Sequence, residues 1–203
     1  MKKLFLASSF ADVAPLLGEF EQNLKGKTVT FIPTASLVEK VVFYVNSGKK
    51  ALEKLGLVVD ELDISQASAD EIAAKLKTND VIYVSGGNTF FLLQELKRTG
   101  ADQIIFDEVN AGKLYIGESA GAIVTSANIE YVTTMDDVSK APLLNDFNAL
   151  NLVPFYIVPH YMNFPFKKIA HKIVETYSSL TLFPLSNDEV LLVEDNQITH
   201  RKQ

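Results

Sequence analysis

The sequence predicts an α/β fold with a mostly parallel sheet, and three observations lead to this prediction. Short apolar runs, such as residues 29–32 and 81–84, alternate with longer amphipathic stretches. The runs are continuously apolar, which is typical of parallel strands that are covered on both faces. The order of strand and helix repeats along the first 125 residues, and such repeats predict right-handed crossovers with helices on both faces of the sheet.

The elements of this first part follow from the same patterns. Strands are predicted at residues 4–7, 29–32, 58–62, 81–84 and 114–116. Helices are predicted near residues 12–25, 37–55, 69–77, 89–98 and 102–111. Gly56 follows the apolar periodicity of its segment and indicates a helix C-terminus.

The second part of the chain has a different pattern. Residues 127–151 are polar and weakly periodic, so we expect a long, partly irregular excursion of the kind that often carries function. A strand at 155–158 ends in Pro159-His160, and a helix follows at 166–178. Further short strands are predicted at 180–183, 190–193 and 197–200, the last two as a hairpin. One domain over residues 1–203 is the simplest organisation.

Composition excludes several classes of protein. The net charge of −6 makes the chain a poor nucleic-acid binder, because that affinity depends on Lys and Arg. The absence of cysteine excludes disulfides, thiolate catalysis and Cys-ligated metals. The run at 4–7 is too short for a signal peptide, and no run approaches membrane-spanning length, so a cytoplasmic protein is expected. Apolar faces alone do not separate core from subunit interface, so the oligomeric state stays open.

Ser119 is a candidate nucleophile because it lies in a G-x-S-x-G pattern, GESAG at 117–121, between a strand and a helix. A sharp turn there would push the side chain out, and small neighbours would relieve crowding. The helix that follows offers backbone N–H groups to a developing oxyanion. The structural alternative is a serine that caps the helix.

A second glycine turn, SGGN at 85–88, also follows a strand. Because the carboxyl ends of parallel strands line one crevice, Gly87 could present its N–H beside that of Ala120 as an oxyanion hole. Alternatively, this is a strand-to-helix turn with Asn88 as the N-cap, and both interpretations can hold together. No phosphate-loop pattern is present.

A serine nucleophile needs a base, and His160 at a strand end is the best placed of the histidines. His171 and His200 are expected on the surface. A third group should orient the imidazole. The candidates lie in the excursion, and spacing does not choose among them: Glu130, Asp136, Asp137 and Asp146. No H-E-x-x-H pattern occurs, so a metal site is not predicted.

The chain resembles the dipeptidase E (aspartyl dipeptidase) family of serine peptidases, which is related to cyanophycinases. The matching segments are SGGNTFFLLQ at 85–94, LYIGESAGA at 114–122, TTMDD at 133–137 and FNALNLVPFYIVPHYMN at 147–163. The resemblance implies a flavodoxin-like fold, shared with class I glutamine amidotransferases, and a Ser-His-acid mechanism without metal or other cofactor. It implies small peptides as substrates.

Position by position, the resemblance implies Ser119 as nucleophile, His160 as general base, and the N–H groups of Gly87 and Ala120 as the oxyanion hole. The acid falls on Asp136 when TTMD is aligned with the family's T-T-N-D. That alignment needs a one-residue insertion after the serine, so Asp137 and Glu130 remain alternatives. Asn88 matches the family's asparagine in the glycine turn and is expected to contact substrate.

Two departures from the family affect specificity. Glu118 precedes the nucleophile where an aromatic is expected, so it could repel an acidic substrate or bind a substrate amino group. The family's arginine after the histidine is missing, and Lys167 or Lys168 would substitute only as point charges. A solvated helix face is favoured for both lysines. The alternatives to a dipeptidase are a hydrolase of cyanophycinase-like or other specificity, and a non-catalytic protein that binds a small ligand.

Overall fold

The computed structural model describes residues 1–203 and contains nine strands and seven α-helices. The strands are β1 (Lys3–Ala7), β2 (Thr28–Ile32), β3 (Val58–Glu61), β4 (Val81–Val84), β5 (Leu114–Glu118), β6 (Tyr156–Val158), β7 (Leu182–Pro184), β8 (Glu189–Glu194) and β9 (Gln197–Lys202). The helices are α1 (Phe10–Phe20), α2 (Phe43–Lys54), α3 (Ala69–Thr78), α4 (Thr89–Thr99), α5 (Ala101–Asn110), α6 (Ala120–Ile123) and α7 (Lys167–Thr176). Three 3-10 turns span Thr34–Val38, Glu130–Val132 and Val138–Lys140. No helix is long and apolar enough to cross a membrane.

The main sheet has seven strands in the order β3-β2-β4-β5-β1-β8-β9. The first five strands of this order pair in parallel, whereas β8 is antiparallel to β1 and to β9. The predicted α/β class with a mostly parallel sheet is therefore confirmed. The order makes β4, β5 and β1 neighbours, so the residues that follow their carboxyl ends share one edge of the sheet.

A second, two-stranded parallel sheet is formed by β6 and β7. Its register pairs Val158 with Pro184, which places the residues after the two strands side by side. The backbone N–H of Leu185 continues this pairing by donating to Val158 O at 2.9 Å. The Tyr131 hydroxyl fastens the small sheet to the excursion by donating to Ile157 O at 2.7 Å.

Apolar side chains cover both faces of the main sheet, as the continuous apolar runs predict. One cluster of 37 buried residues includes the central strands, α4, α5 and the small sheet. The other cluster, of 17 buried residues, joins α1 to the opposite face. In this second cluster the rings of Phe31 and Tyr83 stack with centroids 4.8 Å apart.

The boundaries differ from prediction mainly around residues 34–42. The helix predicted over 37–55 is divided into a 3-10 turn at Thr34–Val38 and α2, which begins at Phe43. The β-branched pair Val41-Val42 lies between them and is exposed, and β-branched residues are weak helix formers. The predicted hairpin is confirmed, because Glu194 pairs with Gln197 across two turn residues.

Candidate active site

Ser119 lies on a strained turn between β5 and α6. Its φ of 48° and ψ of −107° are uncommon for a residue with a side chain, and its N–H donates to Ala7 O at 2.9 Å. The turn requires close backbone packing. A Cβ on Gly121 would lie 2.1 Å from Val84 O, so only glycine allows α6 to approach β4 this closely. Strained strand-to-helix turns of this kind expose a nucleophilic serine.

His160 follows β6 and faces this serine. Its Nε2 lies 3.1 Å from Ser119 Oγ, within hydrogen-bond reach. The backbone of His160 is left-handed, with φ 59°, and its N–H donates to Ser8 Oγ at 2.6 Å. The ring stacks on Phe166 with centroids 5.0 Å apart. Burial lowers the pKa of His160, with a smaller opposing effect of a hydrogen bond to Asn187, so the neutral imidazole is favoured at neutral pH.

The other ring nitrogen of His160 contacts an asparagine instead of an acid. Nδ1 lies 2.8 Å from Asn187 Oδ1 and 3.2 Å from Ser8 Oγ. An amide oxygen only accepts, so this contact favours a proton on Nδ1 and leaves the Nε2 lone pair directed at Ser119. Neither Asn187 nor Ser8 was predicted from sequence. The available signal was their position, since Ser8 directly follows β1 and Asn187 lies three residues beyond β7.

Asp136, the residue expected to orient His160, is placed elsewhere. Its Oδ2 accepts hydrogen bonds from Thr89 N at 2.8 Å and Thr89 Oγ1 at 2.5 Å, at the start of α4. The prediction that Asp136 contacts His160 is therefore corrected, because its carboxylate bonds with Thr89. The physical reason is the path of the excursion, which passes over the N-terminus of α4, where the helix dipole and a free N–H favour a carboxylate.

The alternative acids do not contact His160 either. Asp137 is exposed and its Oδ1 accepts from Ser139 N at 2.9 Å. Asp146 pairs with Lys97 Nζ at 2.6 Å. Glu130 is exposed at the start of a 3-10 turn. No group of three or more acidic or histidine side chains is arranged to hold a metal ion.

The turn at 85–88 lies directly against Ser119. A Cβ on Gly86 would be 3.3 Å from Ser119 Cβ. Gly87 has φ 136°, and a Cβ there would lie 2.2 Å from Ala35 O, so glycine is required by conformation and by space. The N–H groups of Gly87 and Ala120 have no backbone acceptor. Both donors therefore remain available at the edge of the sheet that carries Ser119.

The family model for peptidase family S51 matches residues 4–201. The chain belongs to peptidase family S51. It is thus a peptidase, and its serine type follows from the family. The predicted resemblance to the dipeptidase E family is confirmed, because relatives called Peptidase E include one from Haemophilus influenzae that is 33% identical over 171 residues, covering 80% of this chain and 75% of the relative.

Nearer relatives of this S51 peptidase include an uncharacterised peptidase of Listeria innocua, 65% identical over 98% of this chain and 95% of the relative. The crystal structure of a candidate Peptidase E protein from Listeria monocytogenes EGD-e has a TM-score of 0.96 at 60% identity, covering 100% of this chain and 99% of that one. A peptidase from an acI-B1 Actinobacterium shares the fold, with a TM-score of 0.73 at 22% identity over 100% and 88% of the two chains.

Asn88 of this S51 peptidase is an N-cap, as the structural alternative predicted. Its Oδ1 accepts from Phe91 N at 2.9 Å, and its Nδ2 donates to Asp137 O at 3.1 Å. The side chain is buried, and both of its polar atoms are engaged within the protein. The expectation that Asn88 contacts substrate through its side chain is therefore corrected.

Glu118 is directed into the core of the S51 peptidase. Its Oε1 accepts from Phe10 N at 2.9 Å and its Oε2 from the Tyr83 hydroxyl at 2.7 Å. Burial raises the pKa of Glu118, and these two hydrogen bonds oppose the shift. Only 3% of the residue is exposed, so the expected contact with substrate is corrected. Lys167 and Lys168 are exposed at the start of α7, in agreement with a solvated helix face.

Proposed function

We propose that the chain is a serine peptidase that hydrolyses small peptides through an acyl-enzyme, with residues 1–203 forming one peptidase domain. The observation that carries the proposal is the 3.1 Å contact between Ser119 Oγ and His160 Nε2 on a strained strand-to-helix turn. A serine hydroxyl is a weak nucleophile until a neighbouring base accepts its proton, and this contact supplies that base.

The proposed reaction uses each group for one task. Ser119 Oγ attacks the peptide carbonyl carbon while its proton passes to His160 Nε2. The N–H groups of Gly87 and Ala120 stabilise the oxyanion of the tetrahedral intermediate. The imidazolium then protonates the leaving amine, which breaks the C–N bond and leaves an acyl-enzyme. Water activated by His160 hydrolyses this ester and regenerates the serine.

In this proposal Asn187 completes the triad through its neutral amide. The amide oxygen holds the tautomer of His160, as an acid would, but adds no negative charge beside the imidazolium. Burial lowers the pKa of His160, and the hydrogen bond to Asn187 is the one effect that opposes this shift. We therefore expect the imidazole of His160 to keep its neutral form to a pH below 6.5, the ordinary pKa of histidine.

The substrate is proposed to be a dipeptide or another short peptide, with Asp-Xaa dipeptides as the first to test because relatives carry the name Peptidase E. The exposed positions of Lys167 and Lys168 offer little support for strict selection of an aspartate side chain. Isopeptides and cyanophycin-like chains are the alternative substrates. A cytoplasmic location, expected from the sequence, is kept as part of the proposal.

Labelling with a fluorophosphonate tests the nucleophile directly. Wild type should be labelled, Ser119→Ala should not, and Ser126→Ala, which removes another buried serine hydroxyl, should be labelled like wild type. Wild type that stays unlabelled while a control hydrolase reacts would contradict the proposal. That result, with retained binding of peptides, would favour a protein that only binds a ligand.

A panel of dipeptides separates the specificities. Asp-Xaa, other Xaa-Xaa and β-linked dipeptides would be compared by kcat/KM with the labelled enzyme. Equal rates on all Xaa-Xaa dipeptides would refute aspartate specificity and leave the peptidase proposal intact. Cleavage confined to β-linked dipeptides would favour the isopeptidase alternative.

A further inference from the structure

The glycine turn at 85–88 is held from two sides. On one side the backbone N–H of Asn88 donates to Ala35 O at 2.9 Å, and Gly87 packs against the same carbonyl. On the other side lies the excursion of residues 127–151. The main-chain carbonyl of Asp137 accepts from Asn88 Nδ2 at 3.1 Å, and Asp136 lies next to it in the chain.

Asp136 makes the strongest of these contacts. Its Oδ2 accepts from both the backbone N–H and the hydroxyl of Thr89, which is the first residue of α4 and two residues beyond Gly87. Hydrogen bonds to a carboxylate are roughly twice as strong as neutral ones. The excursion is thus bonded to Asn88 and Thr89, the two residues that directly follow Gly87.

We propose that Asp136 is a positioning residue which, through Thr89, holds the Gly87 N–H at the oxyanion, and this inference rests on the proposed function. Glycine at φ 136° has wide conformational freedom, so the direction of its N–H depends on what anchors the flanking residues. Asp136 anchors one flank and Ala35 O the other. Asp136 therefore acts through the donor and touches neither His160 nor the substrate.

The charge of the Asp136 carboxylate changes with pH near pH 6, a range in which activity can be measured. Burial raises its pKa to about 6, the two hydrogen bonds from Thr89 oppose this, and the charge of Glu39 adds to the rise. The titratable groups that face it are Glu39, Tyr44 and Tyr131. Protonation removes the negative charge from the bonds to Thr89. Activity should therefore fall as the pH falls through about 6, in addition to any loss from protonating His160.

The test compares Asp136→Ala, Asp136→Asn and Asp146→Asn, the last being an exposed acid of the same excursion. Asp136→Ala should lower kcat and the rate of fluorophosphonate labelling on the order of 100-fold, with little change in KM, because an oxyanion donor is misplaced. Asp136→Asn keeps an acceptor oxygen for Thr89 but removes the negative charge, so its activity at pH 8 should lie between those of wild type and Asp136→Ala, and one ionisation should be missing from the acid limb of kcat/KM. Asp146→Asn should match wild type.

The pKa of His160, followed by NMR, separates this role from that of a triad acid. It should be unchanged in both Asp136 variants. A fall in that pKa, or a rise in KM with unchanged kcat, would overturn the proposal in favour of a triad acid or a substrate ligand respectively. Labelled wild type together with Asp136 variants that react at the wild-type rate would refute the inference alone, whereas unlabelled wild type would refute the proposed function.

Thr89→Val tests the same hydrogen bonds from the donor side, so the proposal stays testable even if Asp136→Ala does not fold. It removes the hydroxyl donor and retains the backbone N–H that Asp136 accepts. Labelling should slow by about 10-fold, because one of the two hydrogen bonds that Asp136 accepts from Thr89 is lost and the other remains. An unchanged labelling rate in a folded Thr89→Val variant would count against the proposal.

Discussion

Replacement of Asn187 by aspartate should raise the pKa of His160. With an effective dielectric constant of about 20, a full ion pair at the 2.8 Å that separates His160 Nδ1 from Asn187 Oδ1 corresponds to about 6 kcal/mol, or roughly 4 pKa units. That figure is an upper bound, because the new carboxylate must itself be desolvated. We expect a net upward shift of about 1–3 units.

NMR titration of the histidine ring protons measures this shift without any substrate. The chain has three histidines, and single replacements of the exposed His171 and His200 assign the spectrum. In Asn187→Asp the acid limb of kcat/KM should move to higher pH together with the His160 resonance. Asn187→Ala is the matched control, in which the hydrogen bond that raises the pKa of His160 is lost. An unshifted His160 pKa in Asn187→Asp would refute the contact and the role given to it.

Three further predictions test the surroundings of the site. Gly121→Ala should destabilise the fold by about 2–3 kcal/mol in urea unfolding, since the new Cβ meets a carbonyl oxygen at 2.1 Å. Gly18→Ala, whose Cβ has 3.8 Å of space, should be neutral or stabilising, and equal effects would contradict the packing argument. Glu118→Gln should gain stability relative to wild type as the pH rises above 4.5, because a raised carboxyl pKa makes wild-type stability fall as the pH rises. Parallel pH curves from urea unfolding would contradict this. Ser8→Ala should lower kcat by about 10-fold without a comparable change in KM, because the partly buried N–H of His160 loses its acceptor. Steady-state kinetics with unchanged kcat would exclude that role.

The fold was predictable because local patterns decide it. Continuous apolar runs mark strands β1, β2, β4 and β5, and each is buried in the structure as such runs require. The division of residues 34–54 into a 3-10 turn and α2 was missed, because the apolar residues Val41 and Val42 look like part of a helical face although they are exposed.

The site was predictable only in part, because contacts between distant segments are not encoded in local patterns. Asn187 is 27 residues from His160 in sequence, and the parallel pairing of β6 with β7 brings the two together. A motif alignment selected Asp136 by residue type, but the path of the excursion decides what its carboxylate touches. Glu118 shows the opposite error: it adjoins Ser119 in sequence, yet neighbouring side chains at a strand end point in different directions.

The residues of the candidate active site are carried by two different sheets, the small β6–β7 sheet and the main sheet. His160 and Asn187 both follow strands of the small sheet, whereas Ser119 and the two proposed oxyanion donors, Gly87 and Ala120, follow strands of the main sheet. A displacement of the small sheet would therefore change the distance between serine and histidine and leave the tautomer of the histidine intact. Ser8, at the end of β1, bridges the two sheets through the backbone N–H of His160 and the amide oxygen of Asn187. Proton affinity and nucleophile alignment can thus be altered by separate substitutions.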